Sequence, residues 1–490
     1  MSLLPPRSSN RTPALSTPWA AKMKSYIIPV LMTAFLIQLL FLANMSYLFG
    51  SLFKSTTRMH KLKVLAIDFD GEDIGKAISG AYGNLQSNHF PTVEFGSSSE
   101  YDTPDKIRDA VCNHGYWGAV YTHEGASDRL LSTIEGDNTT VYNPQDAITT
   151  VYNGAYYPAI FSSIQGNMQS LVSTAATMYA LTTPDALKAV NMTNPTSAST
   201  LLRPFQANIW NIMPTEQGGR VLLNTVSMVM PILMQFFFQM ALNDISTSAK
   251  LLQSQSKRDV YASRFITGKL YTFISALVTT GYFWAFRENW GVDAGQFFET
   301  WMCLWFYMDI NYLVVDTVIN TVIPMQFFSF FLLTWIIINI ASTVFPFELT
   351  PGFFHWGWAL PAHNIWLLLV GIWSGCRANI SVTLPILFSW WVVGHAGSAW
   401  SVRKRCLMAE AEAETQGHTD TSEKFDRYST EQSRRDMLET MTVQNSNQVA
   451  DNQNYDLEAN RMPQNLRNGN DSRTIINGGE SSQERDNEKE

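Results

Sequence analysis

Residues Tyr26–Phe49 read YIIPVLMTAFLIQLLFLANMSYLF, a stretch without a single Asp, Glu, Lys or Arg. At about 1.5 Å of rise per residue, a helix of this length covers the roughly 30 Å hydrocarbon core of a bilayer. Lys22 and Lys24 precede it and hold its start on the cytosolic side. A cleaved signal peptide is the rival reading, but its apolar core should be shorter and no small-x-small cleavage site follows. The stretch therefore predicts a membrane anchor, transmembrane helix 1 over 26–49. Residues 1–25, rich in Pro, Ser and Thr, form a disordered cytosolic lead.

Outward from the anchor the chain changes character. Residues 50–220 hold no apolar run of membrane length, and strand and helix signals alternate there. Lys63–Phe69 (KVLAIDF) reads as a buried strand, followed by Ile74, Ile78, Tyr82 and Leu85 at helical spacing. Thr103 and Pro104 mark a helix start, Trp117–Thr122 a second strand, and Ala126–Leu131 a short helix. A longer helix over Pro158–Ala180 leads back toward the membrane. This alternation predicts an α/β domain inserted between the first two spans.

Five more apolar blocks follow: 221–242, 265–286, 297–319, 322–345 and 380–400. Ile365–Trp373 is too brief to span, so 347–376 is expected to be re-entrant or interfacial. Lys250, Lys257, Arg258, Arg264 and Lys269 gather between spans two and three, and Arg403, Lys404 and Arg405 follow the last span. Both groups fall on the cytosolic side with about six spans and a cytosolic N-terminus, whereas a seventh span would put Arg403–Arg405 outside. The fold class is thus an α-helical polytopic membrane protein with an inserted extracytosolic α/β domain. Residues 403–490 are polar, lack aliphatic periodicity, and are expected to form a disordered cytosolic tail available to cytosolic partners.

Composition narrows the function classes. The net charge of −8 comes with an acidic tail, and no basic patch with interleaved aromatics suggests a nucleic-acid partner. Four scattered cysteines read as unpaired thiols, with Cys406, beside a basic cluster, also a candidate for palmitoylation. Asn138 and Asn191 head glycosylation sequons in the domain placed outside. GEDIGK at Gly71–Lys76 falls one residue short of a phosphate-binding loop and lacks the following Ser or Thr. His114 and His123 have no ligand-like spacing. No catalytic or metal constellation and no cofactor is expected.

The polar residues inside the apolar blocks are the candidates for a substrate path. Asp309 and Asp316 stand seven residues apart on one helix face, and an acid at the centre of a span costs on the order of 3 kcal/mol. Lys269 is expected to snorkel to the interface and reach at best Asp316. Asp309 is then protonated, bonded to an amide such as Asn339, or in a wet cavity. Gln235 and Gln239, with Asn243, recur on one face of the second span and serve either inter-helix bonding or a polar path. Phe345–Asn364 (FPFELTPGFFHWGWALPAHN) adds Glu348, His355 and His363 in an aromatic-rich segment, either an interfacial collar or a hairpin over the mouth of a cavity.

That segment, the early span, and HGYWGAVYTHEGAS at His114–Ser127 together resemble the fungal nitrosoguanidine-resistance membrane proteins, a permease-like family. The resemblance covers about Tyr26–Trp400. More distantly, one span, an α/β ectodomain and five spans is similar to the membrane subunits of ABC type-2 exporters and to phage-infection-protein-like permeases. The resemblance implies resistance to small alkylating toxicants and an influence on phospholipid distribution between leaflets. It also implies membrane lipids and small amphiphilic toxicants as ligands, a homodimer by analogy with the exporters, and the plasma membrane or another secretory-pathway membrane as location. A non-transporting regulator, sensing through its ectodomain and docking partners through its tail, is the alternative.

Overall fold

The computed structural model describes residues 17–459 except 114, 137–141, 192, 215–222, 320 and 377–379. In chain order the α-helices are α1 (Thr17–Ser51), α2 (Asp73–Leu85), α3 (Pro104–Cys112), α4 (Ala126–Glu135), α5 (Phe161–Thr182), α6 (Pro184–Ala189) and α7 (Pro195–Leu202). Then come α8 (Leu223–Ser248), α9 (Leu251–Ser254), α10 (Lys257–Ala285), α11 (Ala294–Val318), α12 (Phe328–Val344), α13 (Pro361–Ser374) and α14 (Ile380–Ala459). Strands β1 (Lys63–Asp68), β2 (Thr92–Gly96), β3 (Gly118–Thr122), β4 (Ile148–Tyr152) and β5 (Ala207–Asn211) form one sheet in the order β2-β1-β3-β4-β5.

The sheet lies between α1 and α8 in sequence, where the alternation predicts an α/β domain. β1 pairs in parallel with both β2 and β3, β3 pairs antiparallel with β4, and β4 pairs parallel with β5. In β1 Val64, Leu65, Ala66 and Ile67 are all buried, as a central strand covered on both faces requires. Period-2 geometry sends Val64 and Ala66 into the core with Ile74, Ile78 and Ile164. Leu65 and Ile67 face Ile107 and Val111 of α3 on the other side. Strands β2, β4 and β5 and helices α6 and α7 are additions to the sequence reading.

Among the described residues, four helical stretches are long and apolar enough to cross a membrane: Ser25–Lys61, Leu223–Ser248, Met325–Val344 and Ile380–Thr415. Helices α10 and α11 have 29 and 25 residues, enough by rise to cover about 38 Å or more, but polar side chains dilute them. Asp293 and Gln296 start α11 with a reciprocal capping box. The 14 residues of α13 reach only about 21 Å, and Trp366, Leu369, Val370 and Trp373 on it are fully buried. It is a short helix with a buried face; the sequence reading expected a re-entrant or interfacial segment here.

Two expectations are corrected. Cys112 at the end of α3 and Cys376 after α13 form a disulfide across 264 residues of sequence, so they are not unpaired thiols. Sequence spacing could not show this, because the sheet domain and the segment before α14 meet only in the folded chain. Asn153 Nδ2 lies 3.6 Å from Cys376 Sγ, and the Tyr157 and Trp366 rings meet at the same junction with centroids 6.4 Å apart. Secondly, the residues after Arg405 continue α14 as helix through Ala459. No proline interrupts it after Pro385, and the side chains of 427–438 on it are exposed.

Candidate functional site

The polar side chains of the membrane-type helices collect between α8, α10, α11 and α14. Asp309 and Asp316 of α11 are both buried, at 3% and 0% exposure, and project as two helical turns dictate. Opposite them α14 presents Trp391, His395, Ser398, Ser401 and Arg405, a stripe at spacings of three and four residues. Arg264 and Lys269 come from α10, and Gln235, Gln239 and Asn243 from α8.

Two clusters result. In one, Asp309 Oδ2 accepts a hydrogen bond from Trp391 Nε1 at 2.7 Å and forms an ion pair with Lys269. Lys269 Nζ also lies 3.0 Å from His395 Nε2. In the other, Asp316 Oδ1 receives Arg264 Nη2 at 2.6 Å and Arg405 Nη2 at 2.7 Å, while Ser398 donates to Oδ2. Gln239 Oε1 accepts from Arg264 Nη2 at 2.7 Å, and Asn243 Oδ1 from Arg405 Nη1 at 3.2 Å. A base does therefore stand at the depth of Asp309. The sequence reading sent Lys269 to the interface, but α10 packs beside α11 in a register that sets its ammonium 5.3 Å and 5.0 Å from the Phe265 and Trp391 ring centroids.

Next to the Asp309 cluster lies a cavity of about 680 Å³. Met302, Trp305 and Phe306 of α11, Phe265 of α10, Leu368 and Ile372 of α13, and Phe388 and Trp391 of α14 line it, with Lys269 and Asp309 as its charged residues. Its volume falls in the range of small-molecule sites, and its lining is apolar with a few convergent polar groups. Close to Arg264 and Asp316, by contrast, α14 lies directly on α11. A Cβ on Gly394 would stand 2.9 Å from Leu313, and one on Gly397 2.7 Å from Thr317. Small residues there permit the close approach.

The other sequence candidates lie elsewhere. Asn339 does not bond Asp309: its Nδ2 donates to Trp335 O at 2.8 Å and its Oδ1 accepts from Ala362 N at 3.3 Å. It shares a cluster with His363, whose Nδ1 is 3.1 Å from Ser342 O. Glu348 is half-buried, and His355 is exposed with Nε2 3.0 Å from Phe347 O. Gln235 is fully buried and neither amide atom has a partner. Cys406 is buried against Val260 and Val402, so its thiol is not presented for acylation. Asn191 is exposed and its Oδ1 accepts from Thr193 Oγ1 at 2.6 Å, while Asn138 and His114 lie outside the described residues. Among the described residues no three His, Cys, Asp or Glu side chains come together as a metal site.

Arg264, Lys269, Trp391, His395, Ser398 and Arg405 are absent from the sequence candidates. The signal was present as a polar stripe along one face of the last span. Its basic member, Arg405, enters the sequence reading only as a mark of topology.

Comparison with known proteins agrees with a membrane protein. The chain is 22% identical over 351 residues to the uncharacterized endoplasmic reticulum membrane protein YJR015W of Saccharomyces cerevisiae, covering 64% of this chain and 68% of the relative. No solved structure matches. A family described as "Protein of unknown function (DUF3533)" matches residues 33–396. That match runs from the first span through the sheet domain to the face of α14 that meets Asp309, and the chain belongs to the DUF3533 family of proteins.

Proposed function

We propose that this membrane protein is permease-like and admits an amphiphile from the bilayer into the cavity between α10, α11, α13 and α14. The observation that carries the reading is the cavity itself: about 680 Å³, apolar-walled, with one charge pair at its edge. Phe265 and Phe388 on its rim are exposed, as are Ile266, Leu270 and Ile274 of α10 and Val392 and Val393 of α14. In a bilayer these faces meet lipid, and the opening between them is lateral. A lipid chain or a small amphiphilic toxicant suits such walls. Resistance to nitrosoguanidine-type toxicants, by export or by altered phospholipid distribution between leaflets, follows as the physiological reading. No catalytic role is proposed.

The proposed topology has six spans, with α10 and α11 crossing beside the four more apolar helices, and both termini cytosolic. Two groups of contacts support it. The Cys112–Cys376 disulfide favours the sheet domain and the segment before α14 lying on one side, and an oxidising one. Arg264 and Arg405 meet on Asp316, and Lys257 pairs with Glu410 at 3.0 Å, so the two basic groups share the other side. We place the protein in a secretory-pathway membrane. The continuation of α14 through Ala459 favours a second reading, a regulator that docks cytosolic partners along that helix.

The test is flux of a fluorescent phospholipid, and of a nitrosoguanidine, in proteoliposomes of the purified chain. Phe306→Trp, which narrows the cavity, should lower flux several-fold with unchanged folding. Equal flux in vesicles carrying the unaltered chain and in protein-free vesicles removes the transport reading and leaves the regulator.

A further inference from the structure

Two arginines converge on a single carboxylate inside the bundle. Arg264 is 3% exposed, Arg405 5%, and Asp316 0%. Asp309, the other buried carboxylate among the described residues, is already matched by Lys269. Acids on the neighbouring elements do not enter the cluster. Glu410 is exposed and pairs with Lys257, Asp259 is exposed and caps α10 with Ser256, and Asp244 is exposed. The cluster therefore carries one excess positive charge out of water, which is costly unless something neutralises it.

The unsatisfied atoms have the matching sign. Arg264 Nη1, Arg405 Nε, Gln239 Nε2 and Asn243 Nδ2 are buried without a hydrogen-bond partner, and all four are donors. Turning the amides over would not help. Gln239 Oε1 and Asn243 Oδ1 are held by Arg264 and Arg405, so reversal would set NH₂ against guanidinium. What the cluster lacks is a negative acceptor.

Space is available beside it. A cavity of about 10 Å³ reaches the cluster at Arg264 and Ser398; Lys269, Tyr312, His395 and Asp309, whose Oδ1 also lacks a partner, are among its other walls. It admits roughly one water-sized atom and excludes a tetrahedral oxyanion. Water could fill the space but could not neutralise the charge.

We propose that a small monovalent inorganic anion, of the size of chloride, binds at the Arg264–Arg405–Asp316 cluster and completes the packing of α14 against α8, α10 and α11. The small cavity shares Phe265, Lys269 and Asp309 with the large apolar one, but Arg264, Arg405 and Asp316 do not line the latter, and the site's existence does not depend on transport.

The experiment uses the purified full chain in detergent, exchanged into gluconate, with chloride or bromide added at constant ionic strength. Binding to the folded state should raise Tm by about 2–4 °C at 100 mM halide. Inorganic phosphate should not reproduce the rise. Gln239→Glu keeps the acceptor for Arg264, removes an unpartnered donor and supplies the missing charge. This variant should be more stable in gluconate and lose the halide response. If it does not fold, Asn243→Asp applies the same change beside Arg405, and a bromide anomalous signal at the cluster reads the site directly. Equal Tm in chloride and gluconate overturns the proposal. So does an undiminished halide response in a folded variant, which would assign the effect to the exposed basic residues, or an equal response to phosphate.

Discussion

Asp309 shows how one neighbour changes the reading of an intramembrane acid. Its carboxyl pairs with Lys269 and accepts a hydrogen bond from Trp391, so its partners arrive from two other helices. Asp309→Asn should lower stability by about 2–3 kcal/mol, below the usual cost of breaking a fully buried pair because Lys269 is 21% exposed. Thermal unfolding in detergent measures this, and adding Lys269→Gln should recover part of the loss; a purely additive double variant would mean the two groups do not interact. In the sheet domain His123 is half-buried, with Nε2 2.8 Å from Thr149 Oγ1. Burial first, then the Arg129 charge, pushes its pKa below the ordinary imidazole value. Its neutral form is therefore favoured by folding, and the stability it contributes is present at neutral pH and lost as pH falls through the imidazole range. His123→Gln should flatten the fall in Tm between pH 7 and 5.5, and an unchanged slope would locate the acid sensitivity elsewhere.

Among the elements, α14 makes two different kinds of contact with its neighbours. Near Gly394 and Gly397 it lies directly on α11, whereas Leu384, Phe388 and Trp391 border the cavity instead. The same helix thus forms a tight contact and one wall of a binding space. The segment before it is tied to α3 by Cys112–Cys376, a covalent link between the sheet domain and the helices. Under denaturing, non-reducing conditions a thiol reagent should label Cys303 and Cys406 only, and after reduction all four cysteines. Four labels without reduction would show the pair open. Cys112→Ser with Cys376→Ser should cost about 2–5 kcal/mol, read as a drop in Tm.

At the scale of the whole molecule, the proposed topology places Asn138 and Asn191 with the disulfide, on the side where glycans are added. Asn191 is exposed and accessible for transfer. Endoglycosidase treatment should shift the mobility of the starting protein and leave Asn138→Gln/Asn191→Gln unchanged. A shift that persists in the double variant would mean that another sequon is used. A sequon engineered after Arg405 should stay unmodified. Its glycosylation would invert the assignment of the tail.

Much of the architecture is encoded locally, and those parts were legible in the sequence. Tyr26–Phe49, the burial of KVLAID, the helix start at Thr103-Pro104 and the shortness of Ile365–Trp373 depend on periodicity, capping and length within one segment. Asp309, Asp316 and Gln239 could be singled out because an acid or amide within an apolar block stands out against it. Their partners could not. Which base reaches Asp309, which arginines meet on Asp316, and which thiol faces Cys112 depend on the rotation and depth of helices far apart in the chain. Lys269 and Asp309 are separated by 40 residues and the two cysteines by 264. Local sequence sets where each helix begins and which face is apolar. Only packing, by bringing α10 and α14 against α11, decided that the charges cancel in one cluster and leave an excess in the other.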